Sequence, residues 1–371
     1  MQEKHCMDIT ISKYWQRFKD KLFPEPEIYL GNPTESHLEL MLILDTIKIA
    51  DFFNDYASCP GRGRPSLDRE CFAKAFIAKS VLNLPTTVSL IDRLKVDIVL
   101  RRICGFINKN KLPCEASFSN AFKEFSKTKL AEKIHEVIIK KYHKGVLVHH
   151  ISRDSTAIEV REKPEKKEAK IELKKRARGR PRKGEFILKK EPSILEKQKN
   201  KNLNEMLLEL PVNCNIGSKK NSKGYSYSWI GYKLHIDTGD YGIPISCLLT
   251  SASVHDNNVS LPLEMITGNR ISSLYTLMDS AYDSSIIKED IIARGKVHVI
   301  EHNPRRGEKI EFDPPKSERY KFRAGAERTN ALLKDSYGGN SIMVKSPSKV
   351  MCHLMFGIIC ISAMQIARAI I

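Results

Sequence analysis

The stretch Y-K-F-R-A-G-A-E-R-T-N-A-L-L-K, from Tyr320 to Lys334, decides how the chain is read. On a helix turning about 100° per residue, with Arg323 taken as zero, Tyr320 falls at about 60°, Glu327 at about 40° and Lys334 at about 20°. One phenol, two cations and one carboxylate then share a narrow stripe. A solvated face scatters its charges and pairs Glu with Lys at i,i+4. Here a single acid stands among basic residues, which suits an acid that binds metal beside a phosphate backbone. Such an acid needs further carboxylates and a nucleic-acid surface elsewhere in the chain.

The charge supplies the second requirement. The 371 residues hold 62 Lys and Arg against 44 Asp and Glu, a net charge of +18, with a pI near 9.4. That is the footprint of a polyanion binder. Between Arg161 and Lys190 lie 14 basic and 5 acidic residues, a net +9 that is half of the total. Apolar content of 41% and a mean hydropathy of -0.35 describe an ordinary soluble protein with length for two or three domains. The nine cysteines form no C-x-x-C pair, so neither a zinc ribbon nor a disulfide framework is indicated, and a reducing cytosol fits. The start, M-Q-E-K-H, has no apolar signal region. The apolar run from Val350 to Ile371 contains His353, Gln365 and Arg368, so a buried C-terminal helix is expected in place of a membrane span.

The first carboxylate requirement is met in the C-terminal half. V-L-V-H-H-I-S-R-D-S-T-A-I reads as a strand with Asp154 inside it. W-I-G-Y-K-L-H-I-D and I-P-I-S-C-L-L-T read as two strands joined by the turn Gly239 to Gly242. S-L-Y-T-L-M-D-S is a strand that ends on Asp279, and V-H-V-I is another. With helices at 257–266 and 284–294 the order is an α/β layer with a mixed sheet. An acid ending an apolar strand is costly unless paired. Asp283 and Ser284 are placed to cap the helix that follows Asp279, which leaves Asp279 free for chemistry. Three carboxylates on strand ends and a packed helix can hold two hard divalent cations about 4 Å apart.

Residues 1–60 read as an N-terminal segment and 61–145 as an all-helical DNA-binding domain. Ser66 is the expected N-cap of its first helix, a second helix spans Thr87 to Cys104 and a third Ser117 to Tyr142. Arg93, Lys95, Arg101 and Arg102 are its expected exposed cations, in a helix-turn-helix-like module or a helical cap that touches no DNA. The catalytic domain is expected over 146–371, interrupted at 161–223 by a basic, flexible insertion. Its core, Arg178, Gly179, Arg180, Pro181 and Arg182, resembles an AT-hook, slim enough for an A·T minor groove. A solvated basic linker is the alternative.

These residues together resemble the DDE transposases of bacterial insertion sequences, in the group marked by Y-(2)-R-(3)-E-(6)-K. Tyr320, Arg323, Glu327 and Lys334 match in type and spacing, R-D-S-T supplies Asp154, and M-D-S-A-Y-D-S supplies Asp279. The resemblance runs from Gly61 to the C-terminus. It implies an RNase H-like catalytic fold and two Mg²⁺ ions, for which Mn²⁺ can substitute. The implied reaction is cleavage at transposon ends followed by strand transfer into target DNA. The implied partners are double-stranded DNA, as terminal inverted repeats and target, and a second copy in a synaptic homodimer, with no membrane. The implied location is the bacterial cytoplasm at the nucleoid. By the same resemblance Asp154, Asp279 and Glu327 are metal ligands, and Tyr320, Arg323 and Lys334 touch DNA near the cleaved phosphate. His255 and Asp256 in S-V-H-D support them. Some members carry a β-rich domain between the second Asp and the Glu that helps form a DNA hairpin. Only 48 positions separate the two here, while 125 separate the two aspartates. A non-catalytic DNA-binding relic and a nuclease of the same fold are the rival functions.

Overall fold

The computed structural model describes residues 33–53, 67–165, 192–220, 224–304 and 307–370. The N-terminal part is helical. Helix α1 is Glu35–Ile47, opened by a capping box in which Thr34 and His37 satisfy each other's amides. Helix α2 is Arg69–Val81. Its N-cap is Asp68, which accepts the Glu70 N–H at 2.9 Å, and not Ser66, which lies outside the described residues.

The helix expected over 87–104 is two: α3, Thr87–Val96, and α4, Ile98–Ile103. Asp97 leaves the helical region with ψ 102°. Its carboxylate caps α4 through Leu100 N at 2.9 Å and meets His37 Nε2 at 3.0 Å. The helix expected over 117–142 is likewise two: α5, Glu115–Thr128, and α6, Leu130–Tyr142. Lys129 between them is left-handed, φ 53°, a conformation that no helix continues through. Arg101 is not an exposed cation; it is buried, and its Nη1 donates to Leu94 O at 3.0 Å.

Strand β1, Leu147–Glu159, is the centre of the sheet. After it come short helices α7, Ile194–Gln198, and α8, Leu203–Glu209, then strand β2, Asn215–Lys220. The later part of the stretch expected to be a flexible insertion is therefore folded. Leu195, Met206, Leu210 and Cys214 anchor it by burial. Strands β3, Ser226–Thr238, and β4, Pro244–Ser251, form the expected hairpin. Its turn uses Tyr241 at φ 61° between Gly239 and Gly242. Helix α9, Ser260–Gly268, strand β5, Ser272–Met278, helix α10, Ser285–Ala293, and strand β6, Val297–Ile300, follow. Helices α11, Pro314–Tyr320, α12, Ala324–Asp335, and α13, Pro347–Ile370, close the chain.

The six-stranded sheet is mixed. β1 runs parallel to β5, and β5 to β6; β3 is antiparallel to β1, β4 and β2. Helices cover both faces. On one side α6, α12 and α13 join the sheet in a single core that runs from Leu40 through Phe72, Phe118 and Ile236 to Ala367. On the other, Met278 and Ile300 meet Leu261, Ile287 and Ile291 under α9 and α10. Helix α13 is long and apolar enough to cross a membrane, yet it is packed inside, against α1, α2, α5 and α6. It is a buried core helix, as its His353 and Gln365 suggested. Every cysteine among the described residues is a free thiol.

Candidate active site

Period-two alternation sends Arg153 and Asp154 to opposite faces of β1. Arg153 turns inward and does not neutralise Asp154. It is buried, with Nε and Nη2 on the two oxygens of Asp237 at 2.7 Å each, and Nη2 on Glu264 at 2.8 Å. Lys296 and Thr267 complete this network, on Glu264 at 2.7 Å and Asp237 at 2.6 Å.

Asp154 faces the other way, toward α12. The parallel register explains its partner: Ser152 pairs with Leu277, and two residues further on lie Asp154, still on β1, and Asp279, just past the end of β5. Asp279 does serve as a cap, contrary to expectation. Its Oδ1 accepts the Ala281 N–H at 3.0 Å and opens a 3₁₀ turn, Ser280–Tyr282. The expected caps are engaged elsewhere or idle. Asp283 accepts the Asn303 N–H at 2.9 Å and pairs with Lys288, while Ser284 makes no side-chain cap to α10.

The Tyr320–Lys334 segment is not one straight helix. α11 ends at Tyr320, Lys321–Arg323 is a 3₁₀ turn, and α12 begins at Ala324. The turn swings Arg323 over the acids. Its Nη2 lies 3.5 Å from Asp154 and 3.6 Å from Asp279, and its Nη1 is 2.6 Å from Glu327. Glu327 thus has the i,i+4 partner that the stripe was expected to lack. Tyr320 donates to Glu301 at 3.4 Å, outside this group. Lys334 is half-buried, which pulls its pKa down, and it makes no ion pair among the described residues.

Asn330, one turn beyond Glu327, completes the site. Its Nδ2 donates to Asp154 Oδ2 at 3.0 Å while Arg323 takes Oδ1, so both oxygens of Asp154 are oriented. The i+3 spacing from Glu327 is the sequence signal for Asn330, but an amide carries no charge that marks it as part of an acid site. His255 is exposed and makes no cap. Asp256 is tied to β3 by Lys233 at 3.0 Å. Burial pushes its carboxyl up, but His235 and Lys233 hold it below the usual value. Arg178, Gly179, Arg180, Pro181 and Arg182 lie outside the described residues.

Burial drives the Asp154 and Asp279 pKa values up, and Arg323 only partly opposes it. Burial therefore disfavours the charged form of each, and a cation bound beside them would offset that. Among the described residues, no three His, Cys, Asp or Glu side chains gather closely enough to hold a metal ion. The three acids converge on the Arg323 guanidinium instead. The donor chemistry still fits a hard divalent cation: the ligands are carboxylate oxygens short of positive charge. Arg323 Nε, Asn330 Oδ1 and the buried Tyr282 hydroxyl, which feels the charge of Asp154 and Asp279, also have no hydrogen-bond partner among the described residues.

Fold and site define an α/β protein that groups three acids and a guanidinium where two parallel strands meet a packed helix. The Transposase DDE domain family model matches residues 148–363, and the Transposase domain (DUF772) model matches residues 32–124. The first spans more than half of the chain, and the chain belongs to the transposase DDE domain family, as an insertion-sequence DDE transposase. The second match begins ahead of Gly61 and takes in α1, which packs on α13 in the shared core. No curated protein and no solved structure shows a significant match to the chain.

Proposed function

We propose that this transposase cleaves DNA at the ends of its element and joins the freed 3′-hydroxyl to target DNA, with Asp154, Asp279 and Glu327 as its catalytic acids. The observation that carries the proposal is the convergence of all three on Arg323 from two strands and a helix. Both steps are in-line displacements at phosphorus, so one site serves for both. An antiparallel β4-β3-β1 half followed by a parallel β1-β5-β6 half supports an RNase H-like fold.

Asp154, Asp279 and Glu327 would hold two Mg²⁺ ions. Divalent cations bound there supply Lewis acidity that favours the deprotonated nucleophile and offsets charge on the leaving oxygen. The chain's own groups do the rest. Arg323 presents a fork that exchanges carboxylate for phosphate oxygens and so positions the substrate. Lys334, partly desolvated and without an ion pair among the described residues, offers a point charge to a neighbouring phosphate. Asn330 fixes the Asp154 carboxylate. The basic stretch around Arg178 to Arg182 adds backbone or minor-groove contact, and α2 to α6 form the helical DNA-binding part. Two copies would bring two ends together, in the bacterial cytoplasm at the nucleoid.

Glu327→Gln is expected to abolish cleavage of end-bearing duplex in Mg²⁺ while binding in a gel-shift assay persists. Normal cleavage by that variant would sink the acid assignment. With the unaltered protein, joined products support the transposase, cleavage without joining a nuclease, and binding alone a relic.

A further inference from the structure

Strand β2 and the start of β3 pair from Asn215↔Gly231 to Lys220↔Ser226. Beyond the Gly217–Trp229 pair the ribbon buries nothing: residues 218–220 and 224–228 are all exposed. A two-stranded ribbon with both faces in water is marginal by itself. What holds this one is at its base. Trp229 is 5% exposed and lies so close over Gly217 that a Cβ there would come 2.5 Å from its ring. The indole N–H donates to Tyr232 O at 3.0 Å. Tyr227, 49% exposed, stacks on Trp229 at 6.1 Å and 16°, so a buried ring fixes the direction of an exposed one.

Tyr227 is the cross-strand partner of Lys219, which places both on one face. The Lys219 charge reaches Asp154, Asp279 and Lys334, so its ammonium end lies near the acid site. No Asp or Glu occurs from Asn215 to Lys233. From Ser218 to Lys220 and from Tyr225 to Ser228 every side chain is an O–H or N–H donor. Lysine, serine and tyrosine are the residues that bind phosphate oxygens without reading sequence. A protein partner would call for an apolar centre, and the described tip residues, 218–220 and 224–228, include no aliphatic side chain.

We propose that this ribbon is a clamp for the DNA backbone, holding phosphates beside the acid site. The proposal rests on the chain's acting on DNA and adds the surface that seats it.

The test is fluorescence anisotropy of a labelled duplex of arbitrary sequence with the full chain, over a salt series. Losing two phosphate contacts reduces the slope of log K against log salt by about 1.8. The Lys219→Ala/Lys220→Ala variant is expected to show that reduction, with an unchanged melting temperature because both lysines are exposed. Arginine at both positions is expected to restore the slope. A wild-type slope in the alanine variant, with DNA still bound, overturns the clamp and leaves the transposase reading intact. A change of oligomeric state on size exclusion, with the slope unaltered, overturns it in favour of a contact with a second copy. No DNA binding by the unaltered chain defeats both proposals.

Discussion

Two neighbours on β1 divide the labour of the site. Asp154 stands in the cleft, and Arg153 beneath it locks the sheet to α9 through Asp237 and Glu264. Removing a buried cation leaves its acids uncompensated, at a cost of about 3–5 kcal/mol. Arg153→Met is therefore expected to lower stability by that order in urea titration, where an exposed arginine would shift it little. Asn330 works differently, because it touches an acid without carrying charge. With Asn330→Ala, Asp154 loses the donor that orients one of its oxygens. Cleavage is expected to fall roughly 10- to 100-fold, the usual scale for groups that orient ligating carboxylates. DNA affinity and melting temperature are expected to hold. Single-turnover cleavage separates that from a folding defect, and an unaltered rate would remove Asn330 from the site.

At the scale of elements, Gly231 governs where β1, β2 and β3 meet. It pairs with Glu159 on one strand and Asn215 on the other, at φ 151°. A Cβ there would lie 2.0 Å from Ile158 O. Gly231→Ala is expected to destabilise by on the order of 1–3 kcal/mol from backbone strain alone, with steric overlap adding to it. A denaturant midpoint equal to that of the unaltered chain would contradict the register described. What the sequence disclosed follows the same logic. β1, β3, β4, β5 and β6 were legible because each alternates or runs apolar between turn residues. Helices α3 with α4, and α5 with α6, read as single helices because apolar periodicity carries across a one-residue break. The breaks are made by a tertiary contact, His37 on Asp97, and by a left-handed Lys129. β2 was illegible because it is short and mostly wet. The acids were legible by position, but the 3₁₀ turn that brings Arg323 among them leaves no trace in periodicity.

Across the whole molecule, one core ties the helical part to the sheet, and buried histidines stand at its seams. His135 on α6 lies 3.0 Å from Pro244 O of β4 and 3.1 Å from Ser362 of α13, with Arg270 donating to its Nδ1 at 3.2 Å. His353 on α13 meets Gly338 O at 3.0 Å, and His235 on β3 meets Thr250 at 3.0 Å. Burial is the main cause that pushes His135 down to about 3 and His235 and His353 down to about 4, from 6.5. The unfolded chain therefore binds protons below pH 6.5 that the folded chain refuses, so stability is present above that pH and is lost as pH falls toward 4. Each histidine contributes a loss of about 2 kcal/mol between pH 7 and pH 5. Asp256 and Glu264, held below their ordinary values of 3.8 and 4.5, add their loss only at lower pH. Asp154 and Asp279 act in the opposite sense, since their raised pKa values let the folded chain take up protons first. Urea titrations at pH 7 and pH 5 are expected to show the histidine loss as one cooperative transition, because the core is continuous. His353→Gln keeps a donor for Gly338 O and titrates nowhere in this range, so it is expected to recover about 2 kcal/mol of the difference. An equal pH dependence in that variant would mean that His353 is protonated in the folded chain.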